Sequence, residues 1–378
     1  MNERELVDLL QRQALLTPAE ALDGEFQITR VDRRNRNYRI QTAYARDLFV
    51  KQGSASGASG SMAQEAAVYE LLAEPSISER AGKYLIRYLG HDAAARVLIL
   101  EALPRAEDLH GYHLRTGRLS RCLASELGTC LGALHRATRR LARRPPENCS
   151  VSVVRPWVFE LHCPEVGLLR EASATNLTVI RLLQKEPVFQ RELTKLAAEW
   201  NRASLIHGDM KLANCLTYRA FGARRARALK VIDWEFAGFG DPRWDVACVF
   251  SSYLALWVWS IPMPRPERPE LLVGAAQFPL ANIQRTLVSF LQSYVAAVEP
   301  SYSMPPAWQH TLVRMVGAHL VQTAYEYACS ASELSAPILT LLQLALNVLE
   351  HPERAAVDLL GIRGPAPRAS CHSELASA

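Results

Sequence analysis

The spacing of apolar residues changes along the chain, and that change divides it before any motif is considered. From Phe26 to Lys51 apolar and polar positions come in short runs rich in β-branched and aromatic residues, so 27–31, 38–41 and 47–51 predict strands. The polar stretch 32–37 reads as the turn between the first two. Ahead of them the first segment is helical in pattern, and Thr17-Pro18-Ala19-Glu20 reads as a capping box that starts a second helix. A Gly/Ser/Ala linker over 53–61 precedes a helix at 62–72, and two more strands are predicted near 84–88 and 96–101. Five strands and one inserted helix make a small mixed sheet.

Beyond Leu103 the period becomes helical. Leu119, Leu123, Leu127, Leu131, Leu134 and Leu141 recur every three or four residues and stripe one face of a long helix, which the basic, proline-containing stretch 139–148 ends as a linker. Further helices are predicted at 172–183 and 192–200, then a hairpin of strands 215–218 and 229–232 around a basic loop. The rest reads as helix to about Leu360, and the Pro-, Ser- and Ala-rich tail 364–378 as disordered. The fold class is therefore α+β, with a sheet-bearing unit over 1–102, a helical unit over 103–360 and a tail from 361.

Composition narrows the function little. A net charge of +5 over 378 residues does not call for nucleic acid as a partner. The eight cysteines form no CxxC pair and no zinc-like cluster, and with no apolar leader at the charged start they read as reduced thiols of a cytoplasmic protein. The run 246–264 carries no charge, but its serines and prolines fit a buried core helix better than a membrane span.

The chemistry concentrates in Leu205-Ile206-His207-Gly208-Asp209-Met210-Lys211-Leu212-Ala213-Asn214, followed by Val231-Ile232-Asp233-Trp234-Glu235 and Gly240-Asp241-Pro242-Arg243-Trp244-Asp245. Phosphoryl transfer from a nucleotide needs a carboxylate for the acceptor hydroxyl and hard oxygen donors for the magnesium that neutralises the phosphates. Asp209 with Asn214 five positions later meets the first need and half of the second, since a short loop can aim one at the acceptor and the other at the metal. Asp233, ending the following strand, supplies the second donor.

This spaced set resembles the aminoglycoside phosphotransferase and choline kinase-like superfamily, whose pattern is H-G-D-x-x-x-x-N, then I-D-x-E with Trp, Phe or another residue at x, then G-D-P-x-x-D. The resemblance covers about Ile28 to Asp245. It implies a bilobal protein kinase-like fold, ATP or GTP with Mg2+, Asp209 as catalytic base, Asn214 and Asp233 as metal ligands, His207 bracing the loop and Asp245 holding it from behind. It also implies that Lys51 grips the nucleotide phosphates and pairs with Glu65, with Glu70 as the second choice. The phosphate-covering turn has no glycine; Asn35 and Tyr38 fit the family's Asn-and-aromatic form of it. Backbone groups at Glu101 and Leu103 correspond to the hinge that meets the base, and His135 reads as a buried structural residue.

The acceptor is less constrained. Residues 246–378 hold nine acids and seven bases, no clear acidic excess for a polycationic antibiotic. Eight arginines against one acid over 115–144, Lys211 two positions after the base, and the Arg-rich turn 33–36 lean toward an acidic or peptide partner. The first expectation is a kinase for a small-molecule hydroxyl, acting without nucleic acid or membrane. A peptide Ser/Thr kinase of lanthipeptide type, working with a partner enzyme in a biosynthetic complex, is the alternative. A non-catalytic nucleotide-binding protein is the third.

Overall fold

The computed structural model describes residues 1–22, 26–31, 36–42, 47–53, 60–145, 149–219, 227–262, 274–299 and 304–363, except the side chains of 22, 60 and 61. Helix α1 (Glu3–Arg12) is closed by reciprocal bonds between Asn2 and Glu5, and α2 (Pro18–Leu22) by the same device between Thr17 and Glu20. The capping box predicted at Thr17 is present.

Strands β1 (Phe26–Arg30), β2 (Arg36–Thr42), β3 (Leu48–Gln52), β4 (Tyr88–Asp92) and β5 (Val97–Glu101) form one sheet in the order β1-β2-β3-β5-β4. Every pairing in it is antiparallel, where the sequence pattern suggested a mixed sheet. The connections β1–β2, β2–β3 and β4–β5 are too short for the crossovers that parallel strands need. Between β3 and β4 lie α3 (Gly60–Ala73) and α4 (Pro75–Ala81).

The pleat decides what each strand residue faces. Leu6, Leu9 and Leu10 of α1 bury with Tyr38, Ile40, Leu48, Val50, Val97 and Ile99 in a small core of their own. Leu98 and Leu100, one position out of phase, join the main core with Ala66, Tyr69 and Leu72 of α3. Lys51 stands opposite Leu98, so it is turned toward α3 and away from α1. That placement is what gives a strand lysine a partner on the helix.

The strand predicted at 84–88 begins later. Gly82–Tyr84 is a single 3-10 turn, and Leu85 makes an isolated parallel bridge with Val231 before β4 starts at Tyr88. The apolar run Tyr84-Leu85-Ile86 is thus buried as the joint between the sheet and the hairpin rather than as a sheet strand. Arg36 and Asn37, expected in the turn, open β2.

After β5 come β6 (Glu107–Asp108), α5 (Leu109–Thr116), α6 (Arg121–Arg143), α7 (Val166–Glu171), α8 (Ala174–Lys185) and α9 (Pro187–Ala198). Then follow β7 (Ser204–Ile206), β8 (Cys215–Arg219), β9 (Arg227–Val231), β10 (Gly238–Gly240) and α10 (Pro242–Trp259). The leucine stripe of α6 is buried at Leu123, Leu127, Leu131 and Leu134. Gly128 lets that helix approach helix Leu280–Val298, since a Cβ there would fall 2.2 Å from the Phe290 carbonyl oxygen. Helix α10 contains most of the uncharged run and is buried almost throughout, packed against helices Leu280–Val298, Pro306–Cys329 and Ala336–Glu350. Among the described residues no helix is long and apolar enough to cross a membrane. Strands β7 and β10 went unread in the sequence because three residues each, two of them glycine in β10, carry no period. The tail 364–378 lies outside the described residues.

Candidate active site

Strand β7 delivers the chain into the loop 207–214, and the core fixes how that loop hangs. Met210 and Leu212 are buried at 0 and 1%, while Asp209 and Lys211, which alternate with them, line the cleft. Gly208 has φ +81°, and a Cβ there would come 2.4 Å from the Phe236 carbonyl oxygen, so only glycine fits this bend.

The loop is held from behind. Asp245, fully buried in the first turn of α10, accepts the His207 N–H at 2.8 Å through Oδ2 and the Gly208 N–H at 3.0 Å through Oδ1. His135 adds its Nε2 to Asp245 Oδ2 at 3.1 Å, and the Trp244 indole donates to the Gly208 carbonyl at 3.1 Å. His207 donates from Nε2 to the Ile232 carbonyl at 2.8 Å, leaving Nδ1 to accept the Asp209 N–H at 3.3 Å. Its role is to brace, as the sequence suggested.

Asn214 donates its amide N–H to the Asp209 carbonyl at 2.8 Å and to Asp209 Oδ2 at 3.1 Å. The hairpin β8–β9 pairs Cys215 with Val231, and the Ile232 N–H then bonds the Asn214 carbonyl at 3.0 Å. This register carries Asp233 to the loop bearing Asn214 and Asp209. Asp233 itself has φ +68°, a left-handed conformation that aspartate tolerates better than most residues.

Lys51 closes the site from the sheet side. Its ammonium lies 2.7 Å from Glu65 Oε2, 2.6 Å from Asp233 Oδ1 and 3.7 Å from Glu235. Glu70, the second choice as partner, is exposed and accepts instead from the Tyr88 hydroxyl at 3.1 Å. Burial alone would lower the Lys51 pKa, but the carboxylates of Glu65 and Asp233 outweigh it and hold it above the usual lysine range. Burial pushes Glu65 up, with Lys51 restraining the rise. Burial would raise Asp233 too, yet Lys51 draws its carboxyl below the ordinary value. Lys211 lies 2.7 Å from Asp209 Oδ2; burial lowers its pKa, the Asp209 charge raises it, and the charge wins.

The donor set fits a hard divalent cation. Asn214 spends its amide nitrogen on Asp209, which leaves its carbonyl oxygen for a ligand, and Asp233 brings a carboxylate. Among the described residues no group of three or more His, Cys, Asp or Glu could hold a metal alone. A cation here would complete its shell with ligand oxygens, as magnesium on nucleotide phosphates does.

Other expected positions are less engaged. Asn35 lies outside the described residues. Glu101 ends β5 and gives its N–H to the Arg87 carbonyl at 2.9 Å; the Leu103 carbonyl accepts from Arg39 at 3.5 Å. Sequence reasoning missed Gln64, which spans the cleft by donating to the Ala237 carbonyl at 3.0 Å and accepting from the Ser152 hydroxyl at 3.1 Å. It gave Glu235 no role, although the acid two positions after Asp233 was in view.

Beside Asp209 and Lys211 opens a cavity of about 970 Å³. Trp157 and Tyr325 meet edge to face in its wall, ring centroids 5.2 Å apart, and its lining includes Glu171 and Glu326. These residues come from separate segments, so no local pattern announced them.

Comparison with known proteins gives the chain a family and a fold. The model of the phosphotransferase enzyme family matches residues 26–286. Choline kinase LicA from Streptococcus pneumoniae is similar in structure at TM-score 0.51 and 15% identity, covering 92% of this chain and 98% of that one. A Plasmodium vivax ethanolamine kinase gives 0.53 at 11% identity, covering 91% and 88%. Amicoumacin kinase hAmiN, in complex with AMP-PNP, Ca2+ and Ami, gives 0.53 at 11% identity, covering 93% and 94%. At such identities the likeness establishes a kinase-like fold. No curated protein matches the chain in sequence.

Proposed function

The chain belongs to the phosphotransferase enzyme family, and from that premise we propose that it moves the γ-phosphate of ATP or GTP to a hydroxyl of a small, amine-bearing molecule. The observation that carries this reading is the 2.6 Å bond between Lys51 and Asp233, which joins the sheet to the hairpin beside the Asp209–Asn214 pair.

In this reading Asp209 takes the proton of the acceptor hydroxyl as its oxygen attacks the γ-phosphorus and the bond to the nucleoside diphosphate breaks. Lys211, now paired with Asp209, is within reach to neutralise the phosphoryl group in transit. Lys51, held by Glu65, meets the α/β phosphates. Asn214 and Asp233 would hold Mg2+, which when bound neutralises phosphate charge. The backbone of Glu101 and Leu103 forms the hinge and Asn35 contributes to nucleotide binding; the division between the lobes falls after residue 102.

The acceptor class follows from the cavity. Its lining carries four carboxylates, Glu171, Asp209, Glu235 and Glu326, against two cations, Arg155 and Lys211. With Trp157 and Tyr325 in the wall, such a surface favours a cationic amine over an acidic peptide. The arginines of 115–144 give the peptide alternative little support: most are exposed, and none lines this cavity.

The test is nucleoside diphosphate release with Mg2+ and either ATP or GTP, against amino alcohols, amino sugars and a Ser/Thr peptide. Acceptor-dependent turnover with an amine alcohol, lost in Asp209→Asn, supports the proposal. Turnover with the peptide alone overturns the acceptor class, and equal turnover in both proteins overturns the base.

A further inference from the structure

A second cavity, about 280 Å³, lies between α6, the start of α10 and helix Leu280–Val298. Small-molecule sites start near 300 Å³, so it suits a compact ligand. Its charged lining is Arg139, Asp241 and Arg243. Asp241 is already gripped by Arg243, with bonds of 2.9 and 2.6 Å to its two carboxylate oxygens. The Arg139 guanidinium has no such partner among the described residues, so the cavity keeps a net positive charge. Ser204, 1% exposed, also lines it, and its hydroxyl has no hydrogen-bond partner among the described residues. A buried unpartnered hydroxyl is costly, and a ligand that bonded it would remove that cost. Opposite these polar groups, Trp308 stacks on Tyr294 with ring centroids 6.2 Å apart, beside Val295 and Val298.

We propose that this cavity binds a small organic anion, its carboxylate on Arg139 and Ser204 and its apolar body against Trp308, and that occupancy stiffens the catalytic loop. The link is continuous. Tyr294 donates its hydroxyl to His135 Nδ1 at 3.0 Å, His135 donates from Nε2 to Asp245, and Asp245 holds the amides of His207 and Gly208. Tyr294 and His135 are both walls of the cavity, so a ligand that restricts them restricts the carboxylate carrying the loop. The site takes no part in phosphoryl transfer and stands whether or not the acceptor assignment holds.

Benzoate is a suitable probe, with inorganic phosphate as a purely ionic control. In the full chain benzoate is expected to raise the melting temperature and to slow hydrogen exchange at the His207 and Gly208 amides, and phosphate to do less. Both benzoate effects are expected to vanish in Arg139→Gln and to persist in Arg136→Gln, an exposed arginine on the same helix that does not line the cavity. Ser204→Ala, which removes one hydroxyl only, repeats the test if Arg139→Gln folds poorly, and weaker benzoate binding is expected there. No response in the wild-type protein, or an equal response in Arg139→Gln and Ser204→Ala, overturns the proposal. Stabilisation without slowed exchange at the two amides overturns the coupling.

Discussion

Lys51 and Asp233 stand 182 positions apart in the chain, and their side chains meet at 2.6 Å. The contact exists because the sheet's pleat turns Lys51 toward α3 while the hairpin register brings Asp233 up beside Asn214. It also means that Asp233 must share or exchange its partner when a cation arrives. Glu65, at 1% exposure, depends on the same ammonium.

Replacing Lys51 with Ala therefore strands the buried Glu65. Breaking a buried ion pair costs about 3–5 kcal/mol. The loss should depend on pH. Burial holds the Glu65 pKa above its ordinary value, and without Lys51 it rises further. A carboxyl whose folded pKa lies above its unfolded one loses stability as pH rises between the two values. Urea denaturation should accordingly show a larger deficit for Lys51→Ala at pH 8 than at pH 5.5; equal deficits would mean Glu65 is not the stranded group.

Asp209→Asn keeps the side-chain shape and removes the acceptor for a proton. General-base catalysis contributes about 10²–10⁴-fold, so kcat should fall by that order. Nucleotide affinity should change little, because Lys51, Asn214 and Asp233 remain. Steady-state kinetics beside calorimetric nucleotide titration separates the two; a raised Kd with unchanged kcat would place Asp209 in binding instead.

Much of this was legible in the sequence, and the part that was not has a physical reason. The residues 207–214 and 233 are set by local spacing, so the convergence of Asp209, Asn214 and Asp233 could be anticipated. The pairing of Lys51 with Glu65 was legible through the family resemblance, which joins a strand lysine to a helix glutamate. The cavity wall was not: Trp157, Glu171 and Tyr325 come from three segments, and counting acids over 246–378 could not find Glu171 or Glu235. Likewise Tyr84-Leu85-Ile86 looks like a strand because it is buried and apolar, while its backbone serves a turn and a single bridge.

Arg314 ties helix Pro306–Cys329 to α9 and to the residue just after it. Its guanidinium, 5% exposed, reaches Glu192 of α9 at 3.0 Å and Glu199 at 2.8 Å. Arg314→Ala takes the buried cation from Glu192, which keeps the more exposed Arg191 at 2.8 Å and Lys195 at 3.2 Å. The expected destabilisation is about 1.5–3 kcal/mol by urea denaturation, the worth of a lost hydrogen bond to a charged group. A loss within the range of an exposed pair, about 0–1 kcal/mol, would show that the acids find water instead.

Acid should destabilise the fold through His319 and His113. Burial lowers His319 to about 3, aided by Lys211, and burial lowers His113 to about 4 against the pull of its bond to the Arg118 carbonyl. The unfolded state takes up protons near pH 6.5 that the folded state refuses, so stability is lost as pH falls below that value. Melting temperatures between pH 7 and 5 should drop, with a shallower slope in His319→Gln, whose side chain does not titrate. An unchanged slope would assign the acid sensitivity elsewhere.

In the proposed mechanism Asp233 and Asn214 hold a cation on the phosphates of a nucleotide beside Asp209. The most direct test is calorimetric titration of a non-hydrolysable ATP analogue with and without Mg2+, in wild type, Asn214→Ala and Asp233→Asn. The account predicts that Mg2+ tightens binding in the wild type and that both variants lose most of this gain while keeping metal-free affinity. The same Mg2+ gain in all three proteins would contradict it.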